Sequence, residues 1–190
     1  LDPRFTQEMS ASACPSTFLD SFLNQLIPCP QNRAGVLLKW IGVDALLEQA
    51  NRLEQQGRAA EARVILAPMW ERDHGNFAVG FSLALVAYRQ GDYALMDRIF
   101  QVIGPWFPQH TVVLYNWALA LKGLKRPQEA VSLFERAYQL TPRDFAIGFN
   151  LAETYYEKGD RSRALATLDD LKQSYPKDTR LDDARSRWLR

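Results

Sequence analysis

The sequence has few of the residues that build metal, disulfide or nucleophilic sites. Its 190 residues include two cysteines, Cys14 and Cys29, and two histidines, His74 and His110. These are too few for a disulfide framework, and they do not have the ligand spacing of a structural zinc site. A glycine-rich phosphate loop and a nucleophile elbow are also missing. We therefore expect no catalytic residue, no metal and no cofactor, and we expect that the protein is not an enzyme.

The sequence also lacks an excess of charge of either sign and long apolar runs. The chain has 23 Lys and Arg against 22 Asp and Glu, a formal net charge of +1. Without clustered cations, a nucleic-acid partner is not expected. The longest nearly uncharged stretch, residues 77–88, is too short to span a bilayer, and the N-terminus lacks the layout of a secretion signal. These features predict a cytoplasmic protein. The alternative is a periplasmic or other extracytoplasmic protein whose upstream signal was removed, where a Cys14–Cys29 disulfide could form.

What the sequence does contain is an internal repeat. Pro108, Pro142 and Pro176 follow one another at intervals of 34 residues, and apolar positions keep the same register. A weaker copy lies upstream, with His74 in the place of the proline. Self-similarity at such a period is typical of a solenoid. The sequence predicts four repeats, at residues 43–76, 77–110, 111–144 and 145–178.

Each copy has the pattern of two helices joined by a turn. The first helix carries an apolar stripe at helical spacing, for example Leu114, Trp117, Ala118 and Leu121. A polar break with glycine follows in three copies, while the third copy has Lys125 there. Glycine commonly ends a helix because it adopts the left-handed conformation without strain. One such pair cannot bury its apolar face alone, so we expect the copies to stack.

The repeat resembles the tetratricopeptide repeat. The last copy is most similar to the family signature, with Leu151, Ala152, Tyr155, Ala164, Leu168 and Pro176 at the required offsets. Gly80 and Gly148 depart from the signature, because they stand where a bulky residue is usual. The resemblance implies an all-α, right-handed superhelical solenoid of four 34-residue helix-turn-helix repeats. It also implies a non-catalytic protein–protein interaction module that acts as an adaptor, scaffold or assembly factor.

Both ends of the chain lie outside the four repeats. Residues 1–42 are predicted to form an N-terminal arm with a cap helix, whose apolar face carries Phe18, Phe22 and Leu26. This arm covers the first repeat, occupies the concave groove or exchanges with a second copy, which would make a homodimer. Residues 179–190 place Leu181, Ala184 and Trp188 on one helical face, which predicts a C-terminal capping helix.

The resemblance also assigns a ligand-facing surface, since the family uses fixed positions of each first helix for its concave groove. Carried over to this sequence, the groove binds a peptide segment of a partner protein. Phe81, Tyr115 and Phe149 are expected to be anchors, Asn116 and Asn150 backbone clamps, and Arg89 and Lys122 charge selectors. The predicted partner-binding residues are Phe81, Ser82, Leu85, Tyr88, Arg89, Tyr115, Asn116, Leu119, Lys122, Phe149, Asn150, Glu153 and Tyr156.

Three other functions are weighed against this one. The family members that capture chaperone C-termini use a cationic clamp, and no register of this sequence supplies it, so a chaperone-tail adaptor is disfavoured. A substrate-presenting domain of a larger enzyme, such as a glycosyltransferase, is an alternative because of the Asn116 and Asn150 pair and the abrupt C-terminus. An envelope or secretion assembly scaffold is the third alternative, and it requires an upstream signal.

Overall fold

The computed structural model describes residues 33–189, and the chain divides into two compact units, 1–46 and 47–190. The described part of the first unit is the beginning of one helix, which starts at Arg33. The second unit carries the fold presented below. The predicted cap helix, Cys14 and Cys29 lie outside the described residues.

Helices joined by short turns make up the described part of the chain, which contains no strand. The fold class is therefore all-α, as predicted. A single 3₁₀ turn, Gly104–Trp106, follows the fourth helix. The helices are α1 Arg33–Gln55, α2 Ala59–Arg72, α3 Phe77–Arg89, α4 Tyr93–Ile103, α5 Thr111–Gly123, α6 Pro127–Leu140, α7 Phe145–Glu157, α8 Arg161–Ser174 and α9 Thr179–Trp188.

Short polar residues cap the N-termini of α3 and α7, each of which is the first helix of a predicted repeat. The side-chain oxygen of Asn76 accepts a hydrogen bond from the backbone N–H of Val79 (3.1 Å), and Asp144 does the same for Ile147 (3.0 Å). Such caps satisfy backbone N–H groups that have no partner within the helix. Helices α3, α5 and α7 begin at the residues where the sequence places the repeat starts. Helix α1 begins within the stretch assigned to the arm, and the repeat boundaries stay a prediction.

The turns between paired helices use one backbone conformation. Gly57, Gly91 and Gly159 have φ values of 76°, 72° and 90°. Lys125 occupies the corresponding place in the third pair, with a φ of 59°. The left-handed conformation is thus kept in all four turns, although one of them lacks glycine.

The core of the second unit runs through the stack of helices. From α2 to α9, consecutive helices pack against each other, and small residues of the core are fully buried: Ala84, Ala118 and Ala152 are 0% exposed. Phe100 and Phe134 are fully buried as well. Because each helix pair buries its apolar face against the next, this unit is a solenoid. The exact number of repeats stays a prediction.

Glycines let large side chains enter between neighbouring helices. A Cβ at Gly80 would lie 2.5 Å from Cζ3 of Trp70, and a Cβ at Gly148 would lie 2.8 Å from Cε2 of Tyr138. Trp70 and Tyr138 occupy equivalent positions, two repeat lengths apart. The missing bulk at Gly80 and Gly148 is therefore supplied by an aromatic ring from the preceding helix.

The last helix covers the C-terminal end of the stack. Leu181, Ala184 and Trp188 of α9 are buried, and the Trp188 ring stacks on Tyr156 of α7 with 4.9 Å between centroids. Lys172 of α8 and Asp182 of α9 form an ion pair of 2.6 Å. Helix α9 thus presents its apolar face to the stack and its charged residues to solvent.

Candidate functional site

The thirteen predicted binding residues lie on helices α3, α5 and α7. None of them is buried, since each is either half-buried or exposed. Contacts that their side chains make, described below, join α3 to α1 and α5 to α7. We call the surface formed by the ligand-facing positions of α1 (from Leu47), α3, α5 and α7 the inner face.

The three predicted anchors are half-buried aromatic residues. The Phe81 ring stacks on Phe77 at 5.5 Å, and the Phe149 ring stacks on Phe145 at 5.6 Å. Tyr115 packs against Phe134 of the core at 5.9 Å. Each ring therefore has one side fixed by packing, while part of its surface is accessible. Burial also raises the pKa of the Tyr115 hydroxyl above its usual value.

Asn150 is the centre of a hydrogen-bond network between α5 and α7. Its Nδ2 donates to the Tyr115 hydroxyl (3.2 Å) and to the backbone oxygen of Ala146 (2.9 Å). Its Oδ1 accepts from Nζ of Lys122 (3.3 Å). Both N–H groups of this amide are thus already used, and one lone pair of its oxygen is left for a ligand.

Both cations among the predicted residues form ion pairs across the inner face. Nζ of Lys122 lies 2.7 Å from Oε2 of Glu153, and Nε of Arg89 lies 2.5 Å from Oε1 of Glu54. The Lys122 side chain is 17% exposed, whereas that of Arg89 is 54% exposed. Lys122 is therefore held in place by two groups of α7, and the exposed Arg89 pair is the weaker one.

Asn116 is less constrained than Asn150. Its Nδ2 donates to the backbone oxygen of Val112 (2.7 Å), and its Oδ1 has no hydrogen-bond partner among the described residues. In the neighbouring helix, Oγ of Ser82 donates to Oδ1 of Asn51 (3.2 Å). Asn116 thus offers an open acceptor in the middle of the inner face.

The remaining predicted residues differ in how accessible they are. Leu85 and Leu119 are half-buried, and Tyr88 is 41% exposed with its ring edge toward Tyr93. Tyr156 is partly covered, because Trp188 stacks on one side of its ring and the Arg161 guanidinium lies 5.8 Å from its centroid. Tyr156 therefore offers a partner less apolar surface than Tyr88 does.

Three residues outside the predicted partner-binding set contact it or share its helix face. Glu54 and Asn51 of α1 bond to Arg89 and Ser82, and Val112 is 48% exposed one turn before Asn116. Val112 could have been found from its spacing, because residues three and four apart share a helix face. The two α1 residues occupy ligand-facing positions of their repeat, but only the structure shows that they contact Arg89 and Ser82.

The structure also has a cavity that none of the predicted binding residues lines. This shallow cavity of about 250 Å³ lies between α6, α7 and α8. The Tyr138 hydroxyl donates to Asp170 (2.6 Å), and the Tyr155 hydroxyl donates to Glu135 (2.5 Å). Burial, followed by the bond to Glu135, raises the pKa of Tyr155 to about 12. The cavity is lined by Tyr138, Tyr155, Arg163, Ala166, Thr167 and Asp170.

Metal-binding and membrane-spanning features were also sought in the described residues. Within residues 33–189, no three His, Cys, Asp or Glu side chains are grouped so that they could hold a metal ion. His110 is exposed, and His74 is an exposed residue with Nε2 3.9 Å from Glu71. In the same part of the chain, no helix is both long and apolar enough to cross a membrane.

Comparison with known proteins supports the resemblance found in the repeats. Residues 121–187, which cover α6 to α8 and most of α9, match the tetratricopeptide repeat family model. This part of the chain is thus made of tetratricopeptide repeats. No curated protein matches the sequence.

Several solved structures share the fold of this chain. A point mutant of MamA is 22% identical, with a TM-score of 0.64 over 69% of this chain and 76% of that chain. MamA from Desulfovibrio magneticus RS-1 is 15% identical, with a TM-score of 0.66 over 71% and 77%. A tetratricopeptide repeat protein from Parabacteroides merdae is 16% identical, with a TM-score of 0.66 over 75% and 56%. The fold supports a protein–protein interaction module, and it implies protein partners.

Proposed function

We propose that the inner face binds a peptide segment of a partner protein, held extended or as a helix, and that the protein acts as an adaptor, scaffold or assembly factor. The observation that carries this proposal is the row of half-buried aromatic rings beside the open carbonyl oxygen of Asn116. Apolar pockets give a peptide its affinity, and an amide among them pairs with its backbone.

The inner-face residues have distinct roles in this proposal. Tyr115 is the central anchor, because its ring packs on Phe134 and its hydroxyl is fixed by Asn150. A ring that is already immobilised loses little conformational entropy when a ligand binds. Asn116 accepts a hydrogen bond from a peptide N–H, and Val112 and Tyr88 extend the apolar surface on either side. Asn150 acts mainly by positioning Tyr115 and Lys122.

The proposal is tested with a library of random peptides displayed on phage and selected on the purified protein. Peptides enriched by the wild type are synthesised, and their affinities are measured by fluorescence anisotropy. Tyr115→Ala should weaken binding by about 5- to 30-fold, since truncating an anchor costs about 1–2 kcal/mol. Circular dichroism checks that the variant is folded.

A matched control changes exposed residues of an outer helix. Gln128→Ala/Ser132→Ala alters two positions on the solvent-facing side of α6 and should leave peptide affinity unchanged. If Tyr115→Ala binds the selected peptides as tightly as the wild type, the inner face is not the binding site. Absence of any enriched peptide would also contradict the proposal.

A further inference from the structure

The inner face contains two cations, and each forms an ion pair with a carboxylate of the same face. The ligand-facing positions of the family are 2, 5, 6, 9, 12 and 13 of each repeat, and from residue 47 to 189 the basic residues at these positions are Arg89 and Lys122. Glu54 pairs with Arg89 at 2.5 Å, and Glu153 pairs with Lys122 at 2.7 Å. In each pair the carboxylate comes from a helix next to the one that carries the cation.

The other charged groups at these positions are acidic. Glu48 of α1 lies 4.0 Å from Arg52, and Glu157 ends α7 as an exposed residue. The four glutamates outnumber the two cations, so the described inner face has a formal charge of 2 − 4 = −2. The cations therefore do not make this surface attractive to anions, although the sequence suggested that they could select charge.

Two effects at the inner face disfavour binding of an acidic ligand. Its carboxylate would compete for Lys122 with Glu153, which already lies 2.7 Å from Nζ. The glutamate would then lie beside a second negative charge, which is unfavourable at short distance. Apolar side chains meet no such obstacle, because Tyr88 and Val112 are 41% and 48% exposed.

We propose that the inner face selects apolar segments free of acidic residues, and that Glu54 and Glu153 are the residues that exclude acidic ones. This inference rests on the proposed function, since it names the class of peptide that the same surface accepts. Glu54 and Glu153 act by occupying the two cations rather than by contacting the apolar part of the ligand. Specificity of this kind comes from a penalty on the wrong partner.

The experiment compares the amino-acid composition of peptides selected by the wild type and by Glu54→Gln/Glu153→Gln. Glutamine keeps the size of the side chain and removes its charge, so Arg89 and Lys122 become available to a ligand. Wild-type peptides should be depleted in Asp and Glu relative to the unselected library. The variant should enrich Asp and Glu by about two- to fivefold over the wild type, as expected for partly exposed ion pairs.

The control is Glu61→Gln/Glu129→Gln, which makes the same change in two ion pairs of helices α2 and α6, with Arg58 and Arg126. It should select peptides of wild-type composition. The inference is overturned if the wild type enriches acidic peptides, or if Glu54→Gln/Glu153→Gln selects the same composition as the wild type. Either result would leave the proposed function intact, provided that the selected peptides still depend on Tyr115.

Discussion

A lysine occupies a turn position at which the other three helix pairs have glycine. Lys125 has a φ of 59°, and it makes no ion pair or side-chain hydrogen bond with another described residue. A non-glycine residue in the left-handed region carries a steric cost of about 1–2 kcal/mol. Lys125 is therefore a strained residue, and no side-chain interaction with another described residue offsets that strain.

Replacing Lys125 with glycine should stabilise the protein. The left-handed strain would be relieved, and the greater freedom of glycine in the unfolded state would offset part of the gain. We expect Lys125→Gly to raise the free energy of unfolding by about 0.5–1 kcal/mol, measured by urea denaturation. The reverse change is a matched control: Gly91→Lys should cost about 1 kcal/mol, because a Cβ there has open space and only the backbone conformation is affected. If Lys125→Gly and Gly91→Lys both had the same free energy of unfolding as the wild type, the left-handed conformation would carry no strain.

Ionisation of the Tyr155 hydroxyl is expected to lower the stability of the protein at alkaline pH. Its pKa is raised to about 12 by burial and by its bond to Glu135, whereas an unfolded tyrosine has a pKa of about 10. A raised folded-state pKa gives stability that is complete below about pH 10 and is lost as the pH rises toward 12. Arg163, whose guanidinium lies over the Tyr155 ring at 5.2 Å, opposes the shift.

We therefore expect the free energy of unfolding to fall between about pH 10 and 12, and less steeply in Tyr155→Phe than in the wild type. Because the chain has seven tyrosines, the pKa of Tyr155 is obtained from the difference between the ultraviolet tyrosinate titrations of the wild type and Tyr155→Phe. Denaturation at a series of pH values gives the slope. Tyr88→Phe serves as a control, because that ring is 41% exposed. A Tyr155 hydroxyl that titrates near pH 10 would contradict the assignment of a buried, carboxylate-bonded phenol.

At the scale of helices, much of the fold could be predicted from periodicity. The apolar stripes and the recurring breaks depend on local spacing, so α3, α5 and α7 begin where the repeat pattern begins. The inner-face ion pairs could not be found in this way. Arg89 meets Glu54 and Lys122 meets Glu153 through long side chains whose rotamers are set by neighbouring helices, and their separations differ from the repeat length. Sequence therefore located the surface but not its internal bonding.

Gly80 allows a close contact between α2 and α3 that alanine would disturb. A Cβ would lie 2.5 Å from Cζ3 of Trp70 and 3.0 Å from its Cε3. Overpacking of this kind costs about 1–3 kcal/mol, while alanine gains up to about 1 kcal/mol in helix propensity. We expect Gly80→Ala to lower the free energy of unfolding by about 1–2 kcal/mol in chemical denaturation.

A double-mutant cycle identifies the cause of this loss. The crowded atoms belong to the six-membered ring of the Trp70 indole, so Trp70→Phe should reduce the penalty of Gly80→Ala. An equal penalty in both backgrounds would attribute the loss to something other than this ring. The same reasoning applies to Gly148, where Tyr138 and Leu171 approach from the neighbouring helices.

At the scale of the whole stack, each helix pair depends on its neighbours. A solenoid gains stability from contacts between adjacent pairs, so a local change should weaken nearby pairs more than distant ones. The C-terminal end shows the arrangement clearly, since α9 buries Trp188 to 3% exposure against the last pair. The Trp188 ring lies on Tyr156, one of the predicted binding residues. Helix α9 therefore supports both the end of the stack and that edge of the inner face.

Trp188→Ala should destabilise the stack from its C-terminal end. Removing a buried tryptophan costs about 3–5 kcal/mol, and here the ring stacks on α7 while its helix packs against α8. In native-state hydrogen exchange, the amides of α7 and α8 should lose more protection than those of α3 and α4. Leu189→Ala changes the adjacent residue, which is 61% exposed, and should alter stability by less than about 0.5 kcal/mol. A uniform loss of protection across all helices would show instead that the described stack unfolds as one cooperative unit, and that nearest-neighbour coupling does not divide it.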